Sequence, residues 1–137
     1  MKRDRLIVRD ANTSDRDAIV AFNLALAIET EGKRLNPAVV SEGVKRAIES
    51  RDRLRYWVAE LDGRLVGQTA VSKEWSDWKC GWIWWLQNVY VAEQARGQGI
   101  FRALHAHIRE AAQSSAEVVG LRLYVEKDNL AAQRTYQ

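Results

Sequence analysis

The stretch Trp82-Ile-Trp-Trp-Leu-Gln-Asn-Val-Tyr-Val91, followed by Gln94-Ala-Arg-Gly97-Gln-Gly99 and then Ile100-Phe-Arg-Ala-Leu104, decides how this chain is read. The first segment is apolar enough for a buried strand. The last opens a helix whose Ile100, Leu104, Ile108 and Ala111 form one stripe, so the helix runs from about Gly99 to Ser114. Between them lie two glycines. A strand, a short glycine loop and a helix N-terminus together make an anion site, because the loop amides and the helix dipole place partial positive charge at one point. Glycine permits positive φ and lets phosphate oxygens approach the main chain closely. Two other diphosphate loops are excluded by single residues. A dinucleotide fingerprint needs glycine at position 102, which is Arg102, and a Walker A loop needs Lys and Ser/Thr where Ile100 and Phe101 stand.

Downstream, Val118-Val-Gly-Leu-Arg-Leu-Tyr-Val125 alternates Val119, Leu121, Leu123 and Val125 onto one face, as a strand does. Asn129-Leu-Ala-Ala132-Gln-Arg-Thr-Tyr136 then begins a helix. Alone, Asn129 would be a helix N-cap and Tyr136 a packing residue. In order and spacing, however, the Gln94-x-x-Gly97-x-Gly99 loop and the Asn129/Ala132/Tyr136 helix resemble the GNAT superfamily of N-acetyltransferases. That resemblance implies acetyl-CoA as cosubstrate and acetyl transfer onto a primary amine. By the same resemblance, Gln94, Ala95, Arg96, Gly97, Gln98, Gly99 and Ile100 would hold the pyrophosphate. Backbone amides along Val89, Tyr90 and Val91 would hold the pantetheine and polarise the acetyl carbonyl, Asn129 would hold the pantetheine arm, and Tyr136 would face the sulfur as general acid. Arg96 and Arg102 flank the loop and could meet phosphates.

The 137 residues suit one domain with one substantial core, and 47% hydrophobic with 28% charged residues is ordinary for a globular protein. No apolar run approaches the roughly 20 residues of a membrane span, and the N-terminus does not read as a secretory signal. A single cysteine, Cys80, excludes an internal disulfide and a multi-cysteine zinc site. His105 and His107 stand two apart on a helix and cannot share a metal. No metal is expected, and the compartment reads as cytoplasmic. A net charge of +3, without basic blocks or a nucleic-acid motif, speaks against nucleic acid as partner.

Leu6–Asp10 reads as a first strand. Ser14-x-x-Asp17 gives a capping-box-like start to a helix reaching Thr30, with Ile19, Phe22 and Leu26 on one face. Asn36-Pro37 supplies an N-cap and an N1 proline for a second helix carrying Val40, Val44 and Ile48. Tyr56–Glu60 and Leu65–Val71 are strands joined through Asp62-Gly63, a hairpin signal. The resulting order β-α-α-β-β-β-α-β-α is an α/β plan, with a mixed and mostly antiparallel sheet flanked by helices. It matches the order the resemblance implies across a single domain, residues 1–137. The family normally continues into a closing pair of strands, so either a C-terminal tail is missing or another chain, as in a homodimer, completes the edge. The sequence ends inside a helix pattern with no stop signal, which favours the missing tail.

The general base is open. The strand before the loop offers Trp84, Gln87 and Asn88 to a substrate but no carboxylate. Glu29, Glu31, Glu74 and Asp77 are candidates elsewhere, and proton loss through water is equally compatible. Five of the six tryptophans fall between 75 and 85. They read as an aromatic acceptor pocket or as core and interface, and adjacent Trp84 and Trp85 must face opposite sides of a strand. The reading is an N-acetyltransferase acting on a small-metabolite amine by direct attack. A CoA-binding protein without turnover, an enzyme acting on a protein amine, and a basic nucleic-acid module remain as rivals.

Overall fold

A computed structural model of the chain describes residues 5–123. A five-stranded sheet runs in the order β1 (Leu6–Asp10), β2 (Arg55–Leu61), β3 (Arg64–Ser76), β4 (Gly81–Val91) and β5 (Val118–Leu123). The first four strands are antiparallel and β5 joins β4 in parallel. Helices α1 (Arg16–Glu31) and α2 (Pro37–Glu49) cover one face, and α3 (Ile100–Gln113) covers the other. This is the expected mixed α/β plan; the helix expected around Asn129 and Tyr136 lies outside the described residues. Among the described residues, no helix is long and apolar enough to cross a membrane.

Local signals explain most of the elements. Asn36 caps α2 by accepting from the amides of Ala38 and Val39, with Pro37 in the first turn. Asp62 and Gly63 both take positive φ, 53° and 81°, as the two central residues of a type I′ hairpin turn require. Helix α1 starts differently from expectation. The box is closed by Asn12 and Asp15 across a short 3-10 turn, not by Ser14 and Asp17. The reason is tertiary: Arg9 on β1 grips Asp15 through two hydrogen bonds of 2.8 and 3.0 Å.

Two cores result. Trp57, Trp84, Leu86, Leu104 and Ile108 pack beneath α3, where Ala112 is buried and Ala111 lies half-buried beside it. Ile19, Val44, Tyr56, Val58 and Ala70 pack beneath α1 and α2. On β5 the register shifts beside Trp82, which pairs with Val118, so that Ile83 pairs with Gly120. The added residue turns Val119 outward, 37% exposed, while Val118, Leu121 and Leu123 pack toward the α3-side core. The expected alternation therefore holds for Leu121 and Leu123 but not for Val119.

Candidate active site

A second irregularity, on β4, builds the site. Gln87 pairs with Ala70 and Tyr90 with Gln68, so Asn88 and Val89 together oppose Thr69 alone. Asn88 takes φ 53°, a left-handed conformation that asparagine tolerates better than most side chains. The extra residue reverses the strand's phase. Trp84 and Leu86 face the α3-side core, and strict alternation would send Tyr90 there too. Instead Tyr90 turns to α1, where its ring lies 5.5 Å from Phe22 and its hydroxyl donates to Glu29 at 2.6 Å.

Asn88 reaches the same side and enters a polar cluster. The Tyr56 hydroxyl oxygen accepts from Asn23 Nδ2 at 3.0 Å and from Asn88 Nδ2 at 3.1 Å. Gln68 Nε2 donates to Asn23 Oδ1 at 2.8 Å and to the Asn88 carbonyl at 3.0 Å, tying the bulge to β3 and α1. Burial pushes the Tyr56 phenol above its usual range, so it stays protonated at neutral pH. Gln68 Oε1 is buried without a partner among the described residues, which marks this floor as polar beyond what packing needs. Above it a cleft of about 370 Å³ opens between α1 and α2, with Asn23, Tyr56 and Asn88 at its base and Glu31 and Leu35 among its outer residues.

Beyond Val91 the chain turns through Glu93–Ala95 into the glycine loop. Gly97 and Gly99 take φ of 81° and 79°, and a Cβ built on either meets nothing within 4 Å. The space beside the loop is therefore open to a ligand. Gly99 caps α3 with no side chain, and the first turn carries no acidic residue, so the free amides of that turn keep their positive end uncompensated. The described pairs of β4 with β5 end at Leu86 and Leu123, upstream of Val89, Tyr90 and Val91. Strand end, open glycines and uncapped helix are the geometry that a diphosphate-bearing cofactor requires.

Several expected residues are placed elsewhere. Trp84, expected to touch the acceptor, is buried against Trp57 on the α3 side, opposite the cleft, and is a packing residue. Trp85 donates to Glu74 from its indole nitrogen, Trp75 and Trp82 meet edge to face on the hairpin, and Trp78 stands 95% exposed at its tip. Gln87 is half-buried beside the bulge. The Arg96 guanidinium turns back to Glu29 at 2.7 Å and to the Val91 carbonyl at 2.9 Å rather than along the loop. The Tyr90 hydroxyl and Arg96 hold the Glu29 carboxyl below its ordinary range, which makes it a poor base. Glu74 lies four residues outward from Ala70 on β3, roughly 14 Å from the bulge by strand rise. Asp77 is farther out, in the turn, next to exposed Cys80. Asn129 and Tyr136 lie outside the described residues. Asn23, Tyr56 and Gln68 are missing from the sequence reading; Gln68 inside the apolar run Leu65–Val71 is the one signal that pointed there.

Solved structures share this fold. One of a possible acetyltransferase from Clostridium difficile 630 superposes with a TM-score of 0.88 at 40% identity, covering 96% of this chain and 86% of that one. A ribosomal-protein-alanine N-acetyltransferase from Brucella melitensis biovar Abortus 2308 gives 0.78 at 18% identity, covering 96% and 88%. An aminoglycoside N-acetyltransferase in complex with CoA also gives 0.78, at 14% identity, covering 99% and 87%. These last two are likenesses of fold alone. No curated protein matches the chain by sequence. The profile of the Acetyltransferase (GNAT) family matches residues 23–137, from the Asn23 of the cleft through the glycine loop and beyond, and the chain belongs to that family of acetyl-CoA-dependent acetyltransferases.

Proposed function

We propose that the protein transfers acetyl from acetyl-CoA to the primary amine of a small metabolite by direct attack, with the cleft between α1 and α2 as the acceptor site. One observation carries this: Asn88 lines the cleft on the same strand that feeds the glycine loop. Cofactor side and acceptor side thus meet at one bulge. A cleft closed on two sides by helices suits a compact molecule better than a protein tail.

Acetyl-CoA, when bound, supplies the activated thioester; the chain's part is alignment, which can remove roughly 7–11 kcal/mol of barrier in favourable cases. The loop amides from Gln94 to Ile100 would hold the diphosphate, and main-chain groups of Val89, Tyr90 and Val91 the pantetheine. Asn129 would steady that arm. Tyr136 is the proposed general acid: a phenol titrates near 10 and a thiol near 8.5, so it keeps its proton at pH 7. Glu29 being tied to Tyr90 and Arg96, the amine proton leaves through water in the cleft.

The test is release of free CoA thiol from acetyl-CoA with a panel of small amines and, separately, an N-terminal peptide panel. Turnover of small amines that falls at least a hundredfold in Tyr136→Phe supports the reading. Turnover confined to peptides would replace the acceptor class, and binding of CoA without any turnover would leave only a CoA-binding protein.

A further inference from the structure

The cleft is uneven in charge. Its walls are apolar, with Leu26 and Ala27 from α1 and Val40 and Val44 from α2, and its floor of Asn23, Tyr56 and Asn88 is neutral. Glu31 is the one charged side chain among the described residues that line it. The chain as a whole carries 21 Lys and Arg against 18 Asp and Glu, yet the one charge that lines the cleft is a carboxylate.

Its place on the helix sharpens the point. Glu31 is the last residue of α1, whose final turn holds no basic residue. A carboxylate at a helix C-terminus faces the negative end of the dipole, a position that favours cations. Placement there costs stability and concentrates negative potential at the rim. The nearby partner is Lys33, 3.6 Å away; with side chains 68% and 45% exposed, that pair holds weakly and yields to a competing cation. Glu29, two residues back, is already engaged by Tyr90 and Arg96.

Resting on the acetyltransferase reading above, we infer that the acceptor is a linear diamine or oligoamine without a carboxylate, and that Glu31 is the specificity residue that binds its distal ammonium group. The helix supplies a ruler. Asn23 and Glu31 are eight residues apart, about 12 Å along the axis. The Glu31 side chain leans back toward the N-terminus, so the distal ammonium sits somewhat closer than that to the floor. An amino carboxylate of equal length would present the same reactive amine but set its anion against Glu31 and the helix carbonyls.

The experiment compares three acceptors of one chain length with the full chain: a diamine, a monoamine and an amino carboxylate. Thiol release gives kcat and KM, and calorimetry in the presence of CoA gives binding. The parent should prefer the diamine to the amino carboxylate by roughly tenfold, a preference that shrinks as salt rises. Glu31→Gln should raise KM for the diamine and flatten the ratio, and Glu31→Lys should invert it. A fall in kcat for every acceptor in Glu31→Gln would instead make Glu31 the base and overturn the inference. Equal use of diamine and amino carboxylate by the parent, or no binding of the diamine, would overturn it too. Diamine binding that depends on Glu31 but never leads to thiol release would retain Glu31 as the ammonium-binding residue and sink acetyl transfer.

Discussion

The two faces of the sheet are built to different ends. Under α3 the core is continuous and apolar, with Trp57, Leu86, Leu104 and Ile108 all at or below 1% exposure. Under α1 and α2 the apolar cluster around Ile19 and Val58 is smaller and gives way to the Asn23–Tyr56–Gln68–Asn88 network and an open cleft. Both faces use the same strands, whose alternating residues serve one side or the other. The bulge at Asn88 decides the difference, because it redirects Tyr90 from the first face to the second. One face supplies stability; the other gives up packing for polar groups that a substrate can meet.

The largest effect should come from breaking the packed face. Leu104→Ala removes a fully buried side chain from beneath α3 and should cost about 2–5 kcal/mol by chemical denaturation. Leu26→Ala, on the half-buried wall of the cleft, should cost clearly less. Equal losses would erase the contrast between the faces.

The glycine loop belongs to neither core and should respond only to ligand. At a hundredfold excess over Kd, CoA should stabilise the parent by about 2.7 kcal/mol, and Gly97→Glu should abolish that gain. Gly97→Asn is the control for backbone strain at φ 81°, since asparagine tolerates the conformation and adds no charge. Thermal shifts with and without CoA read both. A retained shift in Gly97→Glu would remove the loop from the cofactor site.

On the polar face, Tyr56→Phe keeps the ring but strips two amide donors, Asn23 and Asn88, of their acceptor. A loss of about 1–3 kcal/mol follows from leaving such groups unpaired. Because the floor is also the acceptor end of the cleft, KM for the amine should rise while KM for acetyl-CoA holds. A change confined to stability would make the network structural only.

How much of this was legible depended on whether a signal was local. The strand-loop-helix around Gly97, the Asn36-Pro37 start of α2 and the Asp62-Gly63 hairpin each rest on neighbours in sequence, and each is found. The start of α1 satisfies the capping pattern in two registers, and the ion pair from Arg9 on β1 favours the one closed by Asp15. Bulges were the main blind spot. The ones at Asn88 and beside Val119 change which face a side chain meets, and nothing in Gln87-Asn-Val-Tyr90 announces it. For the same reason the acceptor reading of Trp84 fails: Trp84 is core because of its phase on β4, while the cleft takes its floor from Asn23, Tyr56 and Asn88, scattered over three elements.

The smallest expected effect tests the cleft without disturbing either core. Gly43 sits on α2 at the cleft lining, with no neighbour within 4 Å of a built Cβ and no positive φ. Glycine within a helix is roughly 0.5–1 kcal/mol less favourable than alanine, and leucine is nearly as good a helix former. Gly43→Leu should therefore leave the protein slightly more stable while its side chain fills space the acceptor would use. Stability and function then move in opposite directions: Tm holds or rises, CoA binding is unchanged, and KM for bulky amines increases. If all amines are turned over as before, the acceptor does not enter between α1 and α2, and the contrast between a packed face and a working face loses its functional half.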